Sequence, residues 1–300
     1  MQDLINEIQQ LKKDRDAFII VHNYQRDEVQ DIADHLGDSL EMARMAKKSD
    51  KKVIVVCGVD FMAETAKILS PEKTVLIPDL DATCPMAHMI DPEILLNMKE
   101  KNPDALVMCY VNSKAEIKAM SDICCTSANA VEMMNRFVNG QPIIFVPDYS
   151  LGHYAMLKSG KDVRLYSGFC PTHHRILPDD VKQAKEEHPN ALVLSHPECF
   201  EEVLEMSDYI GSTSGMVKFL NESGAKEFIV CTEQGLYHRI RKEHPDVTIY
   251  SPCETNICPN MKKITLEKVR DSLLYMQYEV TLDPEIIEKS QAALQRMLTV

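Results

Sequence analysis

The sequence predicts an α/β protein of three homologous three-layer α/β/α domains with parallel sheets, set around a pseudo-threefold axis with the active site at the centre. Three observations predict it. Short, apolar, β-branched runs alternate with helical stretches along all 300 residues, the pattern of sheets covered on both faces. Three of the ten cysteines precede proline, in Cys84-Pro85, Cys170-Pro171 and Cys258-Pro259, at separations of 86 and 88 residues. Other polar residues keep step with them. His22 to Ser39, Tyr110 to Ser127 and His196 to Thr213 are each 17 residues, and His22 to Cys84, Tyr110 to Cys170 and His196 to Cys258 are 62, 60 and 62. A period of about 87 residues is too long for a solenoid unit and suits a small α/β domain. The repeats are placed at 1–103 with an N-terminal helix, 104–189, and 190–300 with a C-terminal helix that packs back on the domains.

In the first repeat, Leu4, Ile5, Ile8 and Leu11 recur at helical spacing. Ala17 to Val21 reads as a buried strand running into His22-Asn23-Tyr24, followed by a polar-rich helix ending near Gly37. Ser39 reads as the N-cap of the helix after it. Val53 to Val56 and Thr74 to Ile77 are strands flanking a helix from about Asp60 to Leu69, and Asp91-Pro92 opens another helix. In the second repeat the strands are Ala105 to Cys109, Ile143 to Val146 and Val163 to Tyr166, with helices at Thr126-Ser127 and around His153 to Lys158. In the third they are Ala191 to Ser195, Phe228 to Cys231 and Val247 to Tyr250, with helices at Ser212-Thr213-Ser214 and from about Gly235 to Lys242. Asp283-Pro284-Glu285 opens the closing helix.

Composition narrows the function. A net charge of −13 argues against nucleic acid or an anionic membrane as partner. The start lacks a signal-peptide pattern, and no apolar run approaches the roughly 18 residues of a spanning helix. A cytoplasmic protein with reduced or metal-bound thiols is expected.

Proline fixes φ near the helical value and lacks an N–H, so each Cys-Pro pair suggests a thiol at a helix N-terminus, where the thiolate is favoured. Cys84, Cys170 and Cys258 are therefore the candidate metal ligands. Structural zinc usually takes four ligands from closely spaced pairs. A [4Fe–4S] cluster on three thiolates leaves one iron open as a Lewis acid, and spacing alone does not separate it from a trigonal zinc. Cys57, Cys109, Cys124, Cys125, Cys199 and Cys231 read as small core residues, and Cys253 as a bystander outside the repeat register. Ser39, Ser127 and Thr213 at predicted helix starts would hold carboxylates or phosphate, although capping alone also explains them. His22 and His196 end strands and would pair with the same anions or serve the fold. Tyr24, Tyr110 and Glu198 are the candidates for proton transfer. One of His173 and His174 is expected to face the cavity.

The chain resembles the quinolinate synthase family along essentially its whole length. The resemblance rests on Val21-His22-Asn23-Tyr24-Gln25, Gly37-Asp38-Ser39, Cys84-Pro85-Met86-Ala87 and Cys109-Tyr110-Val111-Asn112-Ser113. It continues through Gly168-Phe169-Cys170-Pro171-Thr172-His173-His174, His196-Pro197-Glu198-Cys199, Cys258-Pro259-Asn260-Met261-Lys262 and Thr265-Leu266-Glu267-Lys268. It implies a transferase of NAD biosynthesis that condenses iminosuccinate with dihydroxyacetone phosphate, releasing phosphate and two waters. It also implies a [4Fe–4S] cluster on Cys84, Cys170 and Cys258, whose open iron assists water loss. Substrate binding would fall to His22, Ser39, Tyr110, Val111, Asn112, Ser127, His196, Pro197, Glu198 and Thr213, and acid–base chemistry to Tyr24, Tyr110 and Glu198. An L-aspartate oxidase or dehydrogenase would supply iminosuccinate. Some members carry C-x-x-C-x-x-C at the last ligand and form a regulatory disulfide there. Here the spacing is Cys253-x-x-x-x-Cys258, and that switch is not expected. The alternatives are an aconitase-like hydro-lyase and a non-enzymatic metal- or redox-sensing protein.

Overall fold

The computed structural model describes residues 1–299; Val300, the end of the predicted third repeat, lies outside the described residues. The first sheet holds β1 (Ala17–His22), β2 (His35–Gly37), β3 (Val53–Cys57) and β4 (Thr74–Leu76) in the order β2-β1-β3-β4, all parallel. The second repeats it with β5 (Leu106–Tyr110), β6 (Ile123–Cys125), β7 (Ile143–Val146) and β8 (Val163–Leu165) in the order β6-β5-β7-β8. The third uses β9 (Leu192–Ser195), β10 (Tyr209–Ile210), β11 (Glu227–Cys231) and β12 (Thr248–Tyr250) in the order β10-β9-β11-β12. The predicted three α/β/α domains with parallel sheets are thus present.

Each sheet has one strand more than expected. The predicted polar helix before Gly37 is a single turn, Asp27–Gln30, followed by β2. β6 and β10 occupy the same place in the other repeats. These edge strands have two or three residues, too few to show an alternating or apolar run. An aspartate just before each one fixes it instead. Asp34, Asp122 and Asp208 accept the N–H of Ile19, Val107 and Val193 at 2.9, 2.8 and 2.8 Å, on the outer edges of β1, β5 and β9. A carboxylate there satisfies a donor at the edge of the ladder.

The strand order places a switch point between the first and third strand of every repeat, and in such sheets ligands gather outside the carboxyl ends of these strands. β1 ends at His22, β5 at Tyr110, and β9 one residue before His196. Helix starts need small corrections. Asp38, not Ser39, caps helix Ser39–Lys48, in a capping box with Glu41. Ser212 caps helix Thr213–Ser223, and Ser127 lies in the turn before helix Ala130–Phe137.

Helix Pro178–Glu187 packs on β11 of the sheet that follows it, as Gln2–Asp14 does on β1, while helix Pro92–Lys101 packs on helix Ala115–Ala119 of the second repeat. After β12 the chain returns to the first sheet. Helix Leu266–Tyr275 lies on helix Gln2–Asp14, and Val280 N–H donates to Val75 O at 2.8 Å beside β4. Helix Pro284–Met297 wedges between helix Asp60–Leu69 of the first repeat and helix Ala115–Ala119 with β6 of the second. One continuous apolar core results under the first two sheets, while the third sheet has separate apolar layers on its faces. Among the described residues no helix is long and apolar enough to cross a membrane.

Packing is tight where helix Tyr149–Ser159 meets β7. A Cβ on Gly152 would stand 2.6 Å from Phe145 Cδ1 and 2.7 Å from Leu165 Cδ2. Alanine gains about 1 kcal/mol in helix propensity, whereas overpacking costs roughly 1–3 kcal/mol. Because Phe145 is fully buried, packing wins. Gly152→Ala is expected to lower the urea midpoint of the metal-free protein; an unchanged or raised midpoint would contradict it.

Candidate active site at the junction of three domains

The carboxyl ends of all three sheets face one cavity of about 190 Å³. It is lined by His22, Tyr24, Ser39, Cys84, Tyr110, Asn112, Ser127, Cys170, His196, Glu198, Thr213 and Cys258, so the structure brings together twelve of the predicted site residues. Val111 and Pro197 do not line it. Val111 borders a small neighbouring pocket with Ser39 and Phe61.

The three cysteines of the Cys-Pro pairs line this cavity, and the other seven do not. Cys57, Cys109, Cys124, Cys125, Cys199 and Cys231 are buried core thiols. Cys253 is half-buried beside Thr255, its Sγ 3.1 Å from the hydroxyl. Each Cys-Pro leads into a single 3-10 turn, Met86–His88, His173–Arg175 or Met261–Lys263, rather than a full α-helix. The Ala87 N–H is directed at Cys84, that of His173 at Cys170, and those of Met261 and Asn260 at Cys258. Such amides favour thiolate, yet burial dominates and raises all three thiols above their ordinary range. The expectation of preformed thiolates is therefore corrected: one turn is too short to build a helix dipole that offsets desolvation. A soft metal centre would displace the protons on binding. Three converging thiols, each with amides aimed at its sulfur, form a donor set that fits an iron–sulfur centre.

Glu198 stands in the same cavity, close to Cys170. Its Oε1 accepts from Tyr110 OH at 2.5 Å and Asn112 Nδ2 at 3.4 Å, and its Oε2 lies 2.7 Å from His173 Nδ1. Burial alone would raise this carboxyl. Attraction to His196 and His173 and hydrogen bonds from His173 and Tyr110 outweigh burial and hold it well below the usual carboxylate range. Cys170, His173 and Glu198 also bring a thiol, an imidazole and a carboxylate within 4.8 Å. The 2.7 Å nitrogen–oxygen contact is a hydrogen bond, however. Donors around one tetrahedral metal would stand roughly 3.3 Å apart. This trio is therefore a hydrogen-bonded network rather than a coordination sphere.

Ionised Glu198 fixes the protons around it. His173 presents Nδ1–H to the carboxylate, so its Nε2 accepts from Thr232 Oγ1 at 2.9 Å, and Thr232 in turn accepts from Tyr24 OH at 2.6 Å. Burial, reinforced by Glu198, pushes both Tyr24 and Tyr110 well above the ordinary phenol range, so both keep their protons. Burial also lowers His22 and His196 to about 3, against the pull of Glu198. Their tautomers are set by the backbone two residues on. Tyr24 N–H donates to His22 Nδ1 at 3.2 Å and Glu198 N–H to His196 Nδ1 at 3.4 Å, leaving Nε2–H as each ring's donor. For His196 that hydrogen points to Ser127 Oγ at 3.1 Å. These histidines are neutral hydrogen-bond donors, not cations.

His173 faces the cavity, whereas His174 is half-exposed between Phe169 and Phe200. Sequence reasoning missed Thr232 and Asn23, which donates to Thr213 Oγ1 at 2.8 Å. It also missed Arg175 in the cavity wall. Thr232 had a signal: it follows Cys231 at the end of β11, the switch-point strand.

The geometry defines a class: an α/β enzyme whose site exists only where three domains meet, lined by three thiols and by a hydrogen-bonded set of phenols, imidazoles and one carboxylate that reaches Cys170. Comparison with known proteins gives the family. Residues 6–299 match the family model described as quinolinate synthetase A protein. Relatives named quinolinate synthase include one from Caldicellulosiruptor bescii, 50% identical over 98% of this chain and 97% of the relative. Another, from Thermodesulfovibrio yellowstonii, is 50% identical over 99% and 98%. A quinolinate synthase 1 from Methanosarcina acetivorans is 51% identical over 99% and 98%. The chain belongs to the quinolinate synthase family.

A pH dependence follows from the two neutral histidines. Their folded values lie near 3, below the value of about 6.5 in an unfolded chain. Between these values the unfolded state binds more protons, so stability is complete above about pH 6.5 and falls as pH drops. At pH 5.5 the loss is about 1 kcal/mol for each ring relative to pH 7. Urea unfolding of metal-free protein from pH 7 to pH 5.5 should show this slope. His22→Gln should remove about half of it, and an unchanged slope would contradict the assignment.

Proposed function

We propose that this protein condenses iminosuccinate with dihydroxyacetone phosphate to form quinolinate, phosphate and two waters, in NAD biosynthesis in the cytoplasm. The observation that carries the proposal is the ionised Glu198 held between Tyr110 and His173, in the same cavity as three convergent thiols. Cys84, Cys170 and Cys258 would hold a [4Fe–4S] cluster, which supplies a Lewis-acidic iron when bound. The remaining chemistry belongs to the protein. Glu198 is charged and serves as base, while Tyr24 and Tyr110 stay protonated and serve as donors, an acid–base separation made by environment. Ser39 and Thr213 are first residues of helices and Ser127 sits in the turn before one. Their hydroxyls and neighbouring N–H groups suit carboxylate or phosphate oxygens. His22, His196 and Asn112 complete the substrate-binding set with neutral donors; Val111 and Pro197 shape the loops behind it. The reaction that supplies the substrate is an oxidation of aspartate, by an oxidase or a dehydrogenase. The three contributing units are taken as residues 1–103, 104–189 and 190–300. The segment beyond β12 braces the first two.

Two sets of variants test this. After anaerobic reconstitution with iron and sulfide, Glu198→Gln and Tyr110→Phe should keep the visible absorbance of the cluster and lose roughly 10²–10⁴-fold in quinolinate formation. A variant near wild-type rate would remove that residue from the chemistry. Cys84→Ala, Cys170→Ala and Cys258→Ala should each lose the absorbance and Cys253→Ala retain it. Equal loss in Cys253→Ala would overturn the choice of ligands.

A further inference from the structure

Each repeat carries a carboxylate two or three residues past its switch-point strand: Asp60 after β3, Asp148 after β7 and Glu233 after β11. They precede the Cys-Pro cysteines by 24, 22 and 25 residues. Asp60 Oδ1 accepts the backbone N–H of Cys84 at 3.0 Å, and Glu233 Oε1 accepts that of Cys258 at 3.0 Å. In the second repeat the Cys170 N–H faces Asp148, although the fully buried Asp148 Oδ2 makes no hydrogen bond within normal geometry among the described residues. There the two strands of chain are also held by close approach, since a Cβ on Gly168 would stand 2.4 Å from Pro147 O.

The ordinary role of such residues is to satisfy helix starts, and they do this too. Asp60 Oδ1 accepts Phe61 N–H at 2.9 Å, Asp148 Oδ1 accepts Leu151 N–H at 2.6 Å, and Glu233 Oε2 accepts Gly235 N–H at 2.6 Å. Capping needs no bond to a cysteine more than twenty residues away. Asp60 goes further: its Oδ2 lies 2.7 Å from Nε2 of His88, so one carboxylate grips both ends of the Cys84 turn. Glu233 likewise pairs with Lys262 at 3.1 Å, four residues past Cys258.

We infer that Asp60 and Glu233, with Asp148 as a looser third member, are positioning residues that fix the metal-binding thiols by holding the backbone of each cysteine from behind. The inference rests on the three-cysteine reading above. Groups that orient first ligands typically affect metal retention by roughly 10- to 100-fold. The positioning acts through hydrogen bonding rather than charge, which Asp60 separates cleanly. In Asp60→Asn the amide oxygen still accepts from Cys84 and Phe61 and the amide nitrogen still faces His88 Nε2. In Asp60→Ala all three contacts go.

The test uses the full chain reconstituted anaerobically, with iron release to a ferrous chelator followed by absorbance. Asp60→Ala and Glu233→Ala are expected to release iron roughly 10-fold or more faster than wild type, and Asp60→Asn within about twofold of it. Release at the wild-type rate from both alanine variants overturns the inference. So does equal acceleration in Asp60→Asn and Asp60→Ala. Should Asp60→Ala fail to fold, Asp60→Ser carries the comparison: its hydroxyl keeps a cap for Phe61 N–H but is too short to reach Cys84. A second readout needs no cluster. In metal-free protein the Cys84 amide should exchange its hydrogen slowly in wild type and Asp60→Asn and faster in Asp60→Ser or Asp60→Ala; equal exchange overturns the inference. A wild-type chain that takes up no iron and sulfide would instead sink the three-cysteine reading, with amide exchange still deciding whether the carboxylates hold the loops.

Discussion

A carboxylate that is both buried and charged is a severe constraint, because desolvation opposes ionisation and each lone pair left without a partner adds to the cost. Glu198 is 3% exposed. It belongs to the third repeat, and the hydrogen-bond donors that surround its side chain, Tyr110, Asn112 and His173, all come from the chain before it. Keeping this charge in the interior therefore requires the second and third sheets to be brought together at their carboxyl ends. The rest of the cavity follows from that meeting. Once Glu198 accepts from His173, the proton positions of Thr232 and Tyr24 are ordered in sequence, and a residue of the first repeat joins the same network.

Threefold repetition supplies the frame, and departures from it supply chemistry. The first strand of each repeat ends in a loop at the axis, but the residue there is histidine, tyrosine and histidine in turn. Two residues after each histidine, the backbone N–H fixes that ring as a neutral donor. The side chain at that same position is Tyr24 in one repeat and Glu198 in the other. A duplicated backbone geometry thus presents a protonated phenol and an ionised carboxylate, moved in opposite directions by their environment. The hydroxyl positions show the same economy. Ser39 and Thr213 begin helices, whereas Ser127 sits three residues ahead of one and meets His196 across the domain junction.

What could be read in the sequence was whatever had length or recurrence. Buried strands of four or more apolar residues, helices opened by Asp-Pro, and the three cysteines at matched offsets are all visible as patterns. The edge strands were not, because β2, β6 and β10 have only two or three residues, too few to show a pattern even where, as at Ile123–Cys125, they are buried. Asp34, Asp122 and Asp208 do recur at 88 and 86 residues, a signal that an apolarity pattern does not register. Thr232, Asn23 and Arg175 escaped for a different reason: their partners lie 208, 190 and 80 residues away. A cap can be recognised locally; a hydrogen bond across domains cannot. The three Cys-Pro thiols do line one cavity, but that burial raises them above the ordinary thiol range could not be read, since burial is a property of the assembled cavity.

The three repeats are not joined alike. Apolar packing continues from the first sheet into the second, with helix Pro284–Met297 between them. The third repeat meets the first largely through polar groups: Gln30 donates to Gly235 O at 2.8 Å, Arg239 to Asn23 Oδ1 at 3.1 Å, and His238 and Lys242 meet Asp31. Hydrophobic contact is non-directional, whereas hydrogen bonds hold only within narrow ranges of distance and angle. The junction that needs angular accuracy, between Tyr24, Thr232, His173 and Glu198, is therefore held by directional bonds, and the junction that only needs to stay together is held by the core. Lys262 sits where these requirements meet. Its ammonium donates to Tyr24 O at 2.5 Å and pairs with Glu233. One side chain thereby connects the first-repeat loop bearing Tyr24 to the carboxylate behind Cys258, and the two loops are set against each other by a bond rather than by contact alone.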